Sequence, residues 1–124
     1  MAVKIVDASA IAAFVFAEPD ASRIEIELSG HRLAAPTLLP FEMSSICLKK
    51  LRAYPADRDN ILARFAGYAD IPIDLYPSDP DSIVETARAT GLSAYDASYL
   101  LLAAQMSAAL VTLDEQLRRA AEKL

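Results

Sequence analysis

Short β-branched runs recur along this chain with helical stretches between them, and that alternation leaves few folds open. Val3-Lys4-Ile5-Val6 reads as a first strand, ended by Asp7. Ser9 to Ala17 continues as a helix, and Glu18-Pro19-Asp20 breaks it and starts a second one that stops at Gly30. Arg32 to Ala35 is a weaker second strand, closed by Pro36. A long helix from about Thr37 to Tyr54 carries Leu38, Phe41, Ser45, Leu48 and Leu51 along one face, and Pro55 opens another to about Ala69. Ile71-Pro72-Ile73-Asp74-Leu75 is a third strand, which its proline assigns to a sheet edge. Asp79-Pro80 opens a helix ending at Gly91, and Ser93 caps a very apolar helix to about Ser107. Leu110 to Leu113 is the last strand, and Asp114 to Lys123 the closing helix.

Strands separated by helices require right-handed crossovers, hence a parallel sheet covered on both faces. Ligands of such open sheets collect beyond the carboxyl ends of the strands. Asp7 and Asp114 each follow a predicted strand, where a polar side chain can reach a pocket while its backbone stays anchored in the core.

A length of 124 residues suits a single domain spanning 1–124. With 54% apolar and 23% charged residues the chain is not a disordered one, and it is more apolar than its own core requires. The surplus points to a hydrophobic partner surface. A net charge of −5 argues against coating nucleic acid by bulk electrostatics, but not against local contact through a bound cation. The single cysteine, Cys47, excludes an internal disulfide framework and suits a reducing cytoplasm. No apolar run approaches the roughly 20 residues of a membrane span. Ala8 to Ala17 has the composition of a leader core, but Asp7 precedes it and Lys4 is the only basic residue before it, so it reads as a helix.

Four carboxylates stand out, each with a plain alternative. Asp7, in Val6-Asp7-Ala8-Ser9-Ala10, is equally well a helix N-cap, with Ser9 either orienting it or merely filling the first turn. Asp96 completes a capping-box pattern, Ser93-Ala94-Tyr95-Asp96, that demands no chemistry. Asp114 can cap the last helix, with Thr112 bonding locally. Glu42, beside Phe41 and Met43, lies past the first turn of its predicted helix and caps nothing. If these meet at one end of a parallel sheet, each pair about 4 Å apart repels by roughly 4 kcal/mol at an effective dielectric near 20. Such a cluster must take up protons or bind a cation. With only Cys47 and His31 as soft or imidazole ligands, a zinc site is not expected and a hard ion, Mg²⁺ or Mn²⁺, is. His31 reads as an exposed turn residue and Cys47 as core packing.

In order along the chain, Val6-Asp7-Ala8-Ser9-Ala10, Pro40-Phe41-Glu42, Leu92-Ser93-Ala94-Tyr95-Asp96-Ala97 and Leu110-Val111-Thr112-Leu113-Asp114 resemble the four motifs of PIN-domain proteins. More narrowly the chain resembles the VapC-type toxin ribonucleases of bacterial toxin–antitoxin pairs. The resemblance implies a three-layer α/β/α fold around a mostly parallel sheet of about four to five strands. It implies an acidic pocket for Mg²⁺ or Mn²⁺ and endonucleolytic cleavage of RNA. Asp7 and Asp96 are then the surest metal ligands, Glu42 and Asp114 complete the cluster, and Ser9 and Thr112 support it. It further implies a homodimer and a cognate VapB-type antitoxin that blocks the acidic site. Lys49, Lys50 and Arg52, with Arg118, Arg119 and Lys123, are either grips for the RNA backbone or solvated cations favoured by helix dipoles. Two other readings stay open: a receiver-type phospho-acceptor domain, which also keeps an acidic pocket at strand ends, and a catalytically silent PIN-like module that only binds RNA or protein.

Overall fold

The computed structural model describes residues 2–124. Strand β1 (Val3–Val6) leads directly into α1 (Ala8–Val15) and α2 (Ala21–Leu28), then β2 (Arg32–Pro36) and the long α3 (Leu39–Ala53). A 3₁₀ turn at Pro55–Asp57, α4 (Arg58–Ala66) and a second 3₁₀ turn at Gly67–Asp70 follow. The chain closes with β3 (Ile73–Tyr76), α5 (Pro80–Thr90), α6 (Ala94–Met106), β4 (Ala109–Val111) and α7 (Glu115–Glu122). Every strand pairing is parallel, and the order across the sheet is β3-β2-β1-β4. Helices cover both faces, giving the expected three-layer α/β/α architecture with four strands. This order differs from the 2-1-3-4-5 arrangement of receiver-type domains, which removes that alternative.

The central strands carry the core. Ile5 and Val6 of β1 are fully buried, as are Ile11 of α1, Ala35 of β2, Leu39 and Met43 of α3, and Leu117 of α7. A left-handed Gly91 ends α5, where glycine alone avoids a Cβ penalty, so the next helix can start three residues later. Val6 pairs with Val111, and the Asp7 N–H donates to the Val111 carbonyl at 3.3 Å. The residues that follow, Asp7 and Thr112, therefore emerge side by side from adjoining strands.

Several boundaries differ from the sequence expectation. The segment Pro55 to Ala69 is not one helix but a helix flanked by 3₁₀ turns. Strand β3 starts at Ile73, after Pro72, and it does lie at the sheet edge. Strand β4 ends at Val111, so Asp114 stands beyond a short turn instead of directly after the strand. Helix α3 begins at Leu39, not Thr37, which places Glu42 within its first turn. Its buried line is Leu39, Met43 and Cys47 at i, i+4 spacing, whereas Phe41 (75% exposed) and Leu48 (49%) of the expected apolar face lie open. The helix is apolar on two sides, and the core covers only one.

Candidate active site

Going from β1 to β2 to β3 the chain moves outward in one direction, then returns to place β4 on the other side of β1. The strand order thus reverses at the β1–β4 boundary, the place where open α/β sheets bind ligands. Asp7 sits there, only 5% exposed. Its Oδ1 accepts the Ala10 N–H at 3.0 Å and the Ser9 hydroxyl at 2.7 Å, and its Oδ2 accepts the Thr112 hydroxyl at 2.5 Å. Asp7 is therefore both the N-cap of α1 and an oriented, buried carboxylate; the two readings do not compete. The Thr112 oxygen in turn accepts the Asp114 N–H at 3.0 Å, and the Ser9 oxygen accepts the Leu113 N–H at 2.9 Å. Each hydroxyl has one hydrogen, given to Asp7, so their 3.3 Å approach is a contact and not a further bond. Ser9 and Thr112 thereby lace the turn carrying Asp114 to the end of β1.

Asp114 caps α7 as expected, its Oδ1 accepting the Leu117 N–H at 2.8 Å. Asp96 lies in the first turn of α6, where the Ser93 hydroxyl oxygen accepts its N–H at 3.1 Å. The capping box is only half closed, because among the described residues no hydrogen bond engages the Asp96 carboxylate. That carboxylate is left for another role. Glu42 is half-buried, and its Oε1 accepts the Tyr99 hydroxyl at 2.6 Å. Tyr99, 1% exposed, is a partner of Glu42 that the sequence did not single out. The available signal was a phenol in a very apolar helix, which must find a partner for its hydroxyl.

The carboxyls share one electrostatic neighbourhood. Burial pushes the Asp7 carboxyl up, its three hydrogen bonds pull it down, and the Asp114 charge pushes it up again. Burial also raises the Asp96 carboxyl, with the charges of Asp114 and Asp7 adding to it. For Glu42 burial again leads, the Tyr99 hydroxyl opposes it, and Asp96 and Asp7 add repulsion. Burial, the Glu42 hydrogen bond and the nearby Glu42 and Asp7 charges hold the Tyr99 phenol well above its ordinary range, so it stays a donor. The four carboxylates singled out in the sequence thus lie within electrostatic reach of one another, Asp7 and Asp96 feeling Asp114, and Glu42 feeling Asp96 and Asp7. The elevation of Asp7, Glu42 and Asp96, led by burial and added to by neighbouring charge, fits a site where a cation or proton would relieve unfavourable negative charge.

Among the described residues no three Asp, Glu, His or Cys side chains close around a single point tightly enough to cage an ion unaided. The donors are all oxygen, and they suit an ion that keeps much of its water and takes one or two carboxylates directly, the habit of Mg²⁺. Zinc does not fit, since Cys47 is buried within α3 and the His31 ring pairs locally with the Ser29 carbonyl at 3.0 Å. A cavity of about 320 Å³ lined by Leu38, Phe41, Glu42, Ser45 and Tyr95 opens beside Glu42. The basic side chains are partly engaged elsewhere. Lys50 pairs with Glu18 at 3.1 Å and lies over the Phe16 ring, Arg118 binds Glu115 and Glu122, and Arg119 reaches Glu115 at 3.3 Å.

No match to the chain is found among curated proteins. Among solved structures it is similar to PAE2754 from Pyrobaculum aerophilum, with a TM-score of 0.77 and 25% identity, over 98% of this chain and 86% of that one. The PIN domain family model matches residues 4–123, so nearly the whole chain, with Asp7, Glu42, Asp96 and Asp114 inside the match, belongs to the PIN domain family, a family of nucleases.

Proposed function

We propose that this protein is a Mg²⁺- or Mn²⁺-dependent endoribonuclease, the VapC-type toxin of a toxin–antitoxin pair. The observation that carries the reading is Asp7, buried at the β1–β4 boundary and gripped by Ala10, Ser9 and Thr112, its carboxyl raised by that burial and, to a lesser degree, by the charge of Asp114. A carboxylate is not buried in that way to cap a helix alone, because the cap needs only the Ala10 bond.

Asp7 and Asp96 would hold the ion directly, with Glu42 and Asp114 completing the cluster through water or by placing the attacking water. When bound, the ion supplies a water of lowered pKa and neutralises charge on the phosphate oxygens. The chain's own groups do the rest. Ser9 and Thr112 fix both oxygens of Asp7 and leave it no freedom to rotate. Glu42, held at Oε1, keeps Oε2 for the water. The adjoining cavity gives a substrate access to Glu42.

The same reading gives the protein an RNA substrate, a homodimeric state, a VapB-type antitoxin and a cytoplasmic place of action. Exposed apolar side chains support a partner: Ile26, Phe41, Leu48 and Val84 face solvent on three different helices. An antitoxin arginine placed among the carboxylates would neutralise them with charge-assisted hydrogen bonds. No helix among the described residues is long and apolar enough to cross a membrane. The test is incubation of the purified protein with structured RNA, with Mn²⁺ or with chelator, beside Asp7→Asn. Cleavage that needs the metal and Asp7 supports the reading; cleavage persisting in chelator or in the variant overturns it. A stable monomer with no partner encoded beside it would count against the toxin role while leaving the nuclease intact.

A further inference from the structure

Glu42 has less to hold it than Asp7 has. It is half-buried on α3, its side chain has three rotatable bonds, and fixing such a chain costs rotamer entropy. Among the described residues its single side-chain hydrogen bond is the one from Tyr99, 57 residues along the chain, at 2.6 Å. Tyr99 is among the largest fully buried side chains of the protein, so the ring has no freedom to swing away. It also lies three positions after Asp96, which puts the two on one face of α6. One helix therefore presents its own carboxylate to the site and clamps a second one that arrives from α3.

We propose that Tyr99 is the positioning residue of this site: its hydroxyl pins Oε1 of Glu42 and leaves Oε2 as the oxygen available to the reaction. Tyr99 is too buried to touch a polynucleotide, so it acts only through Glu42. This inference rests on the nuclease reading for its kinetic consequence, but not for its consequence for metal affinity.

The test is a double-mutant cycle of wild type, Tyr99→Phe, Glu42→Gln and the double variant. RNA cleavage is measured at saturating Mn²⁺, and the Mn²⁺ dissociation constant by titration calorimetry. Removing one hydroxyl keeps the ring, and melting curves recorded alongside set an assay temperature at which all four proteins are folded. Tyr99→Phe is expected to lower kcat and weaken Mn²⁺ binding by roughly tenfold each, the usual cost of losing a partner that orients a ligand, with KM nearly unchanged. On the Glu42→Gln background the same substitution should change neither by more than about twofold, since residues acting as a unit are not additive. A Tyr99→Phe protein that matches wild type in both measurements overturns the proposal, and so does an equal loss on both backgrounds. If the wild type binds Mn²⁺ but cuts no RNA, the nuclease reading falls while the four affinities still decide the role of Tyr99. A wild type that does neither overturns both.

Discussion

The Thr112 hydroxyl donates to Oδ2 of Asp7 across 105 residues of chain, joining the end of β4 to the end of β1. The same oxygen accepts the Asp114 N–H. Two carboxylates at the switch point of the sheet are thus placed by one threonine. Thr112→Val keeps the shape and removes both bonds, leaving a buried carboxylate oxygen and a backbone N–H without partners. The expected loss is about 1–3 kcal/mol of stability, together with a fall in cleavage rate. Urea unfolding at pH 7 reads the first, and a variant as stable as wild type would show that the hydroxyl does not hold Asp7.

The three elevated carboxyls predict a pH dependence with a definite sign. A carboxyl whose folded-state pKa lies above its unfolded value binds its proton more tightly in the native state. Its contribution is fully present below the ordinary carboxylate range near 4 and is lost as pH rises through the elevated value. Asp7, Glu42 and Asp96 all shift in this direction. Without metal, Asp96→Asn should therefore melt above wild type at pH 7, by a margin that solvent screening of this partly exposed group keeps small. The gap should close as pH falls toward 4. Melts in chelator across that range check it, and a gap that widens toward acid would reverse the sign.

Metal should undo the same penalty. An ion bound by the native state alone stabilises by mass action, about 2.7 kcal/mol at a hundredfold excess over its dissociation constant. Saturating Mg²⁺ should raise the wild-type melting temperature and leave Asp7→Asn and Asp96→Asn nearly unmoved. A shift equal in all three proteins would assign the effect to ions elsewhere.

Ser93 and Asp96 should separate cleanly. Ser93 caps α6, so Ser93→Ala is expected to cost about 1 kcal/mol of stability with a small change in cleavage. Asp96 makes no side-chain hydrogen bond in that cap, so Asp96→Asn should abolish cleavage without loss of stability. Full activity in Asp96→Asn would return that residue to the role of a surface group at a helix start.

The legible parts of this chain were those written in local pattern. Asp7, Asp96 and Asp114 stand at strand ends and helix starts, where turn chemistry announces them, and β-branched runs between helices define a parallel sheet. Glu42 was legible as a residue but not in its surroundings. Helix α3 has apolar residues on two sides, and the exposed Phe41 and Leu48 stand one or two positions from the buried line of Leu39, Met43 and Cys47. Tyr99 was not legible as a partner of Glu42, because nothing local in a sequence says which of several helices will meet. The break within Pro55 to Ala69 is less legible: Pro55 and Gly67 open the two 3₁₀ turns, but a proline at a helix start and a single glycine near a helix end also fit one continuous helix.

Diffraction from crystals soaked in Mn²⁺, collected to give anomalous signal, tests most directly whether these four side chains form one metal site. A peak is expected within direct reach of Asp7 and Asp96, with Glu42 and Asp114 close enough to share its waters. An empty pocket at saturating Mn²⁺, or a peak held by other residues, would contradict it.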